Sequence, residues 1–279
     1  MNDQLVQASQ ESAPVGIIIH DEASFVAMRK AGRLAADTLD YITPFVVPGV
    51  TTEKLDQLCA DFITEHGGIS APLNYRGFPK SVCISINHVV CHGIPGDRTL
   101  KNGDILNIDV TPTVDGWHGD SSRMFYAGDV SVKARRLCDI SFKAMWLGIQ
   151  QVKPGATLGD IGHAIQTYAE ENRCSVVRDF CGHGTGRIFH SPPNILHFGT
   201  PHSGTVIRAG MIFTIEPMLN LGRYDVKILQ DGWTAVTRDR SLSAQFEHTM
   251  GVTEDGVEIF TQSATGMDKP PYSLFPENE

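Results

Sequence analysis

The segment Asn107-Ile-Asp-Val-Thr-Pro-Thr-Val-Asp-Gly-Trp-His-Gly-Asp120 predicts a β-hairpin that carries two acids. Apolar and polar residues alternate through its first part, which is typical of a half-buried strand. Asp115-Gly116 is a favoured two-residue turn, because both positions tolerate positive φ. Folding about this turn makes Asp109 and Asp120 diagonal neighbours on one face. Carboxylates this close are costly to keep ionised, so the pair alone indicates a divalent metal site or, equally well, a solvated hairpin acid.

Composition limits the class of protein. The chain has 279 residues, of which 41% are hydrophobic, so it can build the core of one large domain or of two fused halves. No apolar run is long enough for a membrane span and the segment before Val15 is no secretory signal, so we expect a cytoplasmic protein. The six cysteines form no CxxC pair, which indicates reduced thiols. A net charge of -9 disfavours stable binding of nucleic acid.

The pattern of helices and strands occurs twice. Helical spacing over about 21–41 and from Thr51 or Thr52 to the residues before Gly67 is repeated over about 131–146 and around 161–168. The segment 103–109 then matches 210–216 at an offset of 107 residues. We therefore predict half-repeats of about 21–125 and 131–253, preceded by a mobile arm over 1–14 and followed by a C-terminal tail over 261–279.

The duplication adds two acids to the hairpin pair. Glu216 falls on Asp109 at the repeat offset, and Glu247 is the next acid in an apolar strand context of the second half. If the two sheets pack together, four carboxylates converge, and they cannot all stay charged without cations. Two divalent ions would balance their charge. The metal interpretation now outweighs a solvated hairpin.

Few of the eleven histidines stand in a context that favours ligand binding. His183 lies between glycines in Cys181-Gly-His-Gly-Thr-Gly186, where the backbone can approach a ligand closely, and it is the candidate imidazole ligand. His118 shares the face of Asp120 by alternation and is a weaker candidate. GxSxG and HExxH motifs are absent. The histidines predicted to lie on the surface or on helix sides are His20, His66, His88, His163, His197, His202 and His248.

Seven motifs resemble those of the methionine aminopeptidase family, over about Ile17 to Phe260. The short interval between His190 and Glu216 and the lack of an N-terminal zinc-binding extension make the resemblance one to type I members. It implies an α+β, duplicated pita-bread fold with pseudo-twofold symmetry, in which curved antiparallel sheets are covered by helices, and a single catalytic domain over 15–260. The motifs are Lys80-Ser-Val-Cys-Ile-Ser-Ile-Asn87, Val90-Cys-His-Gly-Ile-Pro95, Asn107-Ile-Asp-Val110, His118-Gly-Asp120, Cys181-Gly-His-Gly-Thr-Gly186, Phe213-Thr-Ile-Glu-Pro-Met218 and Ser243-Ala-Gln-Phe-Glu-His248.

The same resemblance implies a set of metal ligands. Asp120 and Glu247 would bridge two divalent ions, Asp109 would hold one of them, and His183 with Glu216 would hold the other. Oxygen-rich donors with one imidazole suit cobalt, manganese, iron or zinc, so the identity of the metal stays open.

The resemblance also assigns catalytic and substrate-binding residues. Glu216 would accept a proton, His92 would contact the scissile amide and assist the leaving amine, and His190 would polarise the carbonyl oxygen. The pocket for the methionine side chain would be formed, beside His92 and His190, by Tyr75, Phe78, Cys83, Phe189 and Trp233. An aromatic pocket of this kind suits a flexible thioether.

The implied activity is removal of the initiator methionine from nascent proteins when the second residue is small. The expected partner is the N-terminal peptide of a new chain, with a ribosome contact left open, no membrane partner, and a monomeric state. Two alternatives remain. An X-Pro aminopeptidase or prolidase shares the fold but usually carries another N-terminal domain. A non-catalytic pita-bread binding protein would typically lose ligands, whereas all five positions are filled here.

Overall fold

The amphipathic stretches of the sequence form four α-helices in the computed structural model, which describes residues 16–272. Each begins after a capping residue: the carboxylate of Asp21 accepts the N–H of Ser24 at 2.9 Å, and the hydroxyl of Thr51 accepts the N–H of Lys54 at 3.2 Å. The third helix runs one turn past its predicted end. The helices are α1 Glu22–Ile42, α2 Thr52–Glu65, α3 Val132–Ile149 and α4 Leu158–Glu171.

The strands of the described residues are short, and all their pairings are antiparallel. Short turns join several consecutive strands, such as β5 with β6 and β16 with β17, which antiparallel pairing permits. They are β1 Ile69–Ser70, β2 Cys83–Ile86, β3 Val89–Cys91, β4 Asp104–Val110, β5 Pro112–Val114, β6 Trp117–His118, β7 Ser121–Ala127, β8 Ser175–Val176, β9 Gly182–Gly184, β10 Ser191–Ile195, β11 Ile212–Ile215, β12 Met218–Asn220, β13 Val226–Ile228, β14 Ala235–Thr237, β15 Ser243–Gln245, β16 His248–Val252 and β17 Val257–Ile259.

Two sheets carry the acids. In the first, β4 lies between β2 and β7; in the second, the order is β10-β9-β11-β16-β17. A bridge between Ser122 and Glu247 joins them, with the N–H of Glu247 donating to the carbonyl of Ser122 at 3.0 Å. Strand β7 of the first half therefore meets the segment just before β16 of the second half at the position of Glu247.

Each pair of helices covers the sheet of its own half. Leu39 of α1 and Leu55 of α2 pack with Leu106 and Phe125, while α3 and α4 cover a core around Phe213. Burial of each large apolar side chain stabilises the fold by about 1.5–3 kcal/mol. The sheet faces turned away from the helices are left to line a cavity.

The chain ends are described in part. The arm predicted over 1–14 lies outside the described residues, as does 273–279. The part of the predicted tail that is described, 261–272, runs along the domain, where the Tyr272 hydroxyl donates to the carbonyl of Met124 at 2.7 Å. Within residues 16–272 no helix combines the length and apolar character that crossing a membrane requires. All six cysteines are unpaired.

Candidate active site

The predicted hairpin positions the first two acids. Asp109 pairs with Ser122, and Val114 pairs with Trp117 across the Asp115-Gly116 turn, where both φ angles are positive. The register is the one expected from the sequence. The buried hydroxyl of Thr111 donates to Oδ1 of Asp120 at 2.7 Å. A Cβ at Gly119 would overlap the carbonyl of Ala31, so glycine lets α1 pack directly behind the hairpin.

The second half contributes Glu216 and Glu247 from neighbouring strands. Glu216 follows β11 and Glu247 precedes β16, and the pairing of Ile215 with His248 sets the two acids side by side. The hydroxyl of Ser121 donates to the carbonyl of Glu247 at 2.8 Å. The halves are thus tied together directly at an acid of the site.

His183 enters the same cavity from β9. Its main-chain N–H donates to Oγ1 of Thr214 at 3.0 Å. Its imidazole Nε2 lies 3.4 Å from Oδ2 of Asp120 and 3.7 Å from Oε1 of Glu216. One ligand atom from each of Asp120, His183 and Glu247 lies within 4.8 Å of the others. Glycines flank His183 because a Cβ at Gly184 would overlap the carbonyl of Pro192.

Burial dominates the electrostatics of the acids. It raises the pKa of Asp109 and of Glu247 well above their usual range, and the charges of neighbouring acids add to the effect. Burial also raises the pKa of Glu216, to about 7. Burial alone would raise the pKa of Asp120 too, but the hydrogen bond and charge of His183 hold it below its ordinary value.

These residues fit a divalent metal. Four carboxylates and one imidazole converge where anions repel one another, and a bound cation would relieve that repulsion. Carboxylate oxygens with one imidazole nitrogen are donors that first-row divalent ions accept. The structure brings all five predicted ligands to one cavity, and the close cluster of three includes neither Asp109 nor Glu216.

His92 and His190 line the same cavity as neutral imidazoles. His92 has a positive φ of 55° and packs edge-on against Phe180. Burial lowers its pKa. Nδ1 of His190 lies 3.0 Å from the hydroxyl of Tyr75, and its partial burial together with the nearby His183 lowers the pKa of His190 to about 4. Both rings can therefore donate or accept a hydrogen bond without carrying charge.

One cavity of about 340 Å³ contains every site residue assigned from the sequence. Its aromatic end includes Phe78 edge-on to Trp233, with ring centroids 5.2 Å apart, and Tyr75 against Phe189 at 4.9 Å. Cys83 lines it from β2. The lining residues that the sequence did not single out are Pro72, Arg76, Thr111, Asp179, Phe180, Cys181 and Met218.

Two histidines were misplaced by sequence reasoning. His197 and His248 were predicted to lie on the surface or on helix sides, which is wrong, because both are almost fully buried. Nε2 of His197 accepts the N–H of Glu216 at 3.1 Å, and burial lowers the pKa of His197 to about 3. His197 follows β10 two residues after the buried Ile195, and this alternation was the signal that could have identified it. The weaker candidate His118 contacts the carbonyl of Gly186 instead.

Two neighbours that support Glu216 were also missed. The hydroxyl of Thr214 donates to Oε1 of Glu216 at 2.9 Å, and Nε2 of Gln245 donates to Oε2 at 3.2 Å. Thr214 lies two residues before Glu216 at the end of β11, and Gln245 lies two residues before Glu247. Each therefore shares a face with an acid, and a systematic use of strand periodicity would have included both.

Comparison with known proteins agrees with this geometry. The model of metallopeptidase family M24 matches residues 26–254. A methionine aminopeptidase from Rickettsia prowazekii is 61% identical over 257 residues, covering 92% of this chain and 99% of the relative. The crystal structure of a methionine aminopeptidase from that organism superposes with a TM-score of 0.87, covering 88% of this chain and 99% of the other. A prolidase from Pyrococcus furiosus is 20% identical, with a TM-score of 0.70, covering 88% of this chain and 66% of that one, and shares the fold alone. The predicted α+β pita-bread fold is confirmed.

Proposed function

Because the chain belongs to metallopeptidase family M24, we infer that it is a metal-dependent aminopeptidase that removes the initiator methionine from nascent proteins. One observation carries this inference: an acidic donor cluster and an aromatic pocket share a single cavity. The enzyme class, an aminopeptidase of the methionyl type, agrees with the high identity over nearly the whole length of the relative from Rickettsia prowazekii.

We propose that two divalent ions occupy the cavity. The residues that would hold them are Asp109, Asp120, His183, Glu216 and Glu247. Divalent metal use is supported by the family and by the cluster of Asp120, His183 and Glu247, while the number of ions and their identity as cobalt, manganese, iron or zinc belong to the proposal. When bound, such ions supply Lewis acidity that polarises a carbonyl and makes an attacking water more acidic.

Glu216 is the proposed proton acceptor. Glu216 lines the cavity, and Thr214 and Gln245 each donate a hydrogen bond to one of its two carboxylate oxygens, which holds the group in place to take a proton. The proton taken from the attacking water can then move toward the leaving amine.

His190 and His92 are the proposed contacts to the scissile peptide. The hydroxyl of Tyr75 lies 3.0 Å from Nδ1 of His190, and we propose the tautomer in which this hydroxyl donates to Nδ1 and the neutral ring carries its hydrogen on Nε2. The Nε2–H of His190 can then donate to the carbonyl oxygen as negative charge develops there. His92, held edge-on between Phe180 and Trp233, would contact the amide nitrogen.

Tyr75, Phe78, Cys83, Phe189 and Trp233 would hold the methionine side chain. Their rings and the thiol form an apolar surface that suits a polarizable thioether. The second substrate residue would lie beside the metals, where the crowded cavity leaves little volume. We therefore propose a requirement for a small second residue.

The proposed setting follows from the substrate. The enzyme would act in the cytoplasm as a monomer on the N-termini of new chains. Because nascent N-termini emerge at the ribosome, we propose the ribosome as a further macromolecular partner.

Release of free methionine from Met-Ala-Ser tests the function. Chelator-stripped protein should be inactive, addition of manganese, iron or cobalt should restore release, and Asp120→Ala should abolish it. Met-Leu and Met-Arg peptides should be cleaved poorly. Cleavage of Ala-Pro peptides without methionine release would favour a proline-directed peptidase, and no hydrolysis by folded, metal-loaded protein would favour a binding module.

A further inference from the structure

The described part of the C-terminal tail, residues 261–272, is hydrogen-bonded to both halves of the domain, and we call it the C-terminal strap. It lies beyond residue 254, where the match to the family model ends. The hydroxyl of Ser263 donates to Oδ2 of Asp40 on α1 at 2.8 Å. Nη1 of Arg123, a buried residue of β7, donates to the carbonyl of Met267 at 2.6 Å and also pairs with Asp40. Polar anchors at both ends hold the strap in one position.

Thr261 is the first residue of the strap and is fully buried. Its Oγ1 accepts the N–H of Thr249 at 3.1 Å and lies 2.9 Å from Nδ1 of His248. Because β17 ends at Ile259, this hydroxyl takes the place of a strand partner at the start of β16. It therefore fixes the two residues that directly follow Glu247.

Thr249 extends the contact to Asp120, a second acid of the proposed metal site. Its hydroxyl donates to the main-chain carbonyl of Asp120 at 2.7 Å. Hydrogen bonds therefore run from Thr261 through Thr249 to Asp120, and the chain itself links Thr249 to Glu247. The strap thus reaches both acids without touching the cavity.

We propose that Thr261 is a positioning residue for the metal-binding acids Asp120 and Glu247, and that the C-terminal strap holds it in place. The inference rests on the metal site of the proposed function. Metal ligands must be held within a fraction of an ångström of productive geometry, and groups that orient the ligands commonly change metal affinity about 10–100-fold. Thr261 contacts neither substrate nor metal, so its effect passes through β16.

Thr261→Val removes the hydroxyl and keeps the shape of the side chain, whereas Thr261→Ser keeps the hydroxyl. Thr38→Val is the matched control, because Thr38 is equally buried but donates to the carbonyl of Leu34 within α1. Calorimetric titration of chelator-stripped, full-length protein with Mn²⁺ measures metal affinity. Turnover of Met-Ala-Ser gives kcat and KM, and thermal unfolding reports folding.

We expect Thr261→Val to bind Mn²⁺ at least about tenfold more weakly and to lose kcat at subsaturating metal with little change in KM. Thr261→Ser should stay within about twofold of wild type, and Thr38→Val should lose stability but not metal affinity. Thr249→Val, which removes the bond to Asp120, should shift metal affinity in the same direction and decides the matter if Thr261→Val does not fold. Wild-type metal affinity in the folded Thr261→Val or Thr249→Val protein overturns the proposal, as does an equal loss in Thr38→Val. Failure of the wild type to bind any of Mn²⁺, Fe²⁺, Co²⁺ and Zn²⁺ would instead overturn the proposed function.

Discussion

Binding of Mn²⁺ to the metal-free protein is predicted to release protons. Burial and neighbouring charges raise the pKa of Asp109 and Glu247 well above their usual range and that of Glu216 to about 7. At pH 7 a group of pKa about 7 is half protonated, so Glu216 alone should give up about half a proton when a cation binds. Asp109 and Glu247 add to that number. We expect more than half a proton per protein at pH 7.

Calorimetry in buffers with different ionisation enthalpies measures this release directly. The apparent heat of Mn²⁺ binding should vary linearly with the buffer enthalpy, and the slope is the number of protons. Glu216→Gln carries no titrating carboxyl at this position, so it should release about half a proton fewer at pH 7 if it still binds metal. A heat that does not depend on the buffer would refute the argument that the buried acids are protonated before metal binds.

The same raised pKa of Glu216 makes the stability of the metal-free protein depend on pH. A carboxyl that is harder to ionise in the folded state stabilises the fold most below its ordinary pKa of 4.5, and this contribution is lost as pH rises through about 7. The difference between these two pKa values corresponds to about 3 kcal/mol. Urea unfolding of metal-free wild type and Glu216→Gln should show their difference in stability changing by about this amount between pH 4.5 and pH 8. A difference that is constant with pH would contradict the assignment.

Three further substitutions test the site and its scaffold. His190→Ala should lower kcat for Met-Ala-Ser by roughly 100–1000-fold with KM changed only a few-fold, because it removes a donor to the developing oxyanion; an effect confined to KM would argue against that role. Trp233→Ala should raise KM for Met-Ala-Ser at least about tenfold by opening the pocket around the thioether, with little loss of metal affinity by calorimetry. Gly184→Ala should lower the melting temperature by on the order of 2–10 °C, because its Cβ would overlap the carbonyl of Pro192, and Gly199→Ala, whose Cβ has its nearest neighbour at 3.4 Å, should lower it less.

Local patterns in the sequence were enough to predict the helices and the positions of Asp109 and Asp120. The start of α1 after Asp21 follows from a cap within one turn, and the positions of Asp109 and Asp120 follow from a two-residue turn and strict alternation. These features depend on residues two to four positions apart, so the sequence displays them directly. The α+β fold and the metallopeptidase function, which rested on the duplication and on the motifs, are confirmed by the comparisons.

The surroundings of the acids were decided only by the tertiary structure. His197 and His248 were predicted to lie outside the core, yet both are almost fully buried. His197 contacts Glu216, and His248 contacts Thr261. The contact of Thr261 with Thr249 forms where the chain leaves β17 and lies beside β16, and the bridge between Ser122 and Glu247 forms where the two halves meet. Such contacts join residues whose separation follows no helical or strand period. The sequence by itself therefore determined which residues could bind a metal. The tertiary packing determined which neighbours hold those residues in place, because burial and long-range hydrogen bonding leave no local periodicity to detect.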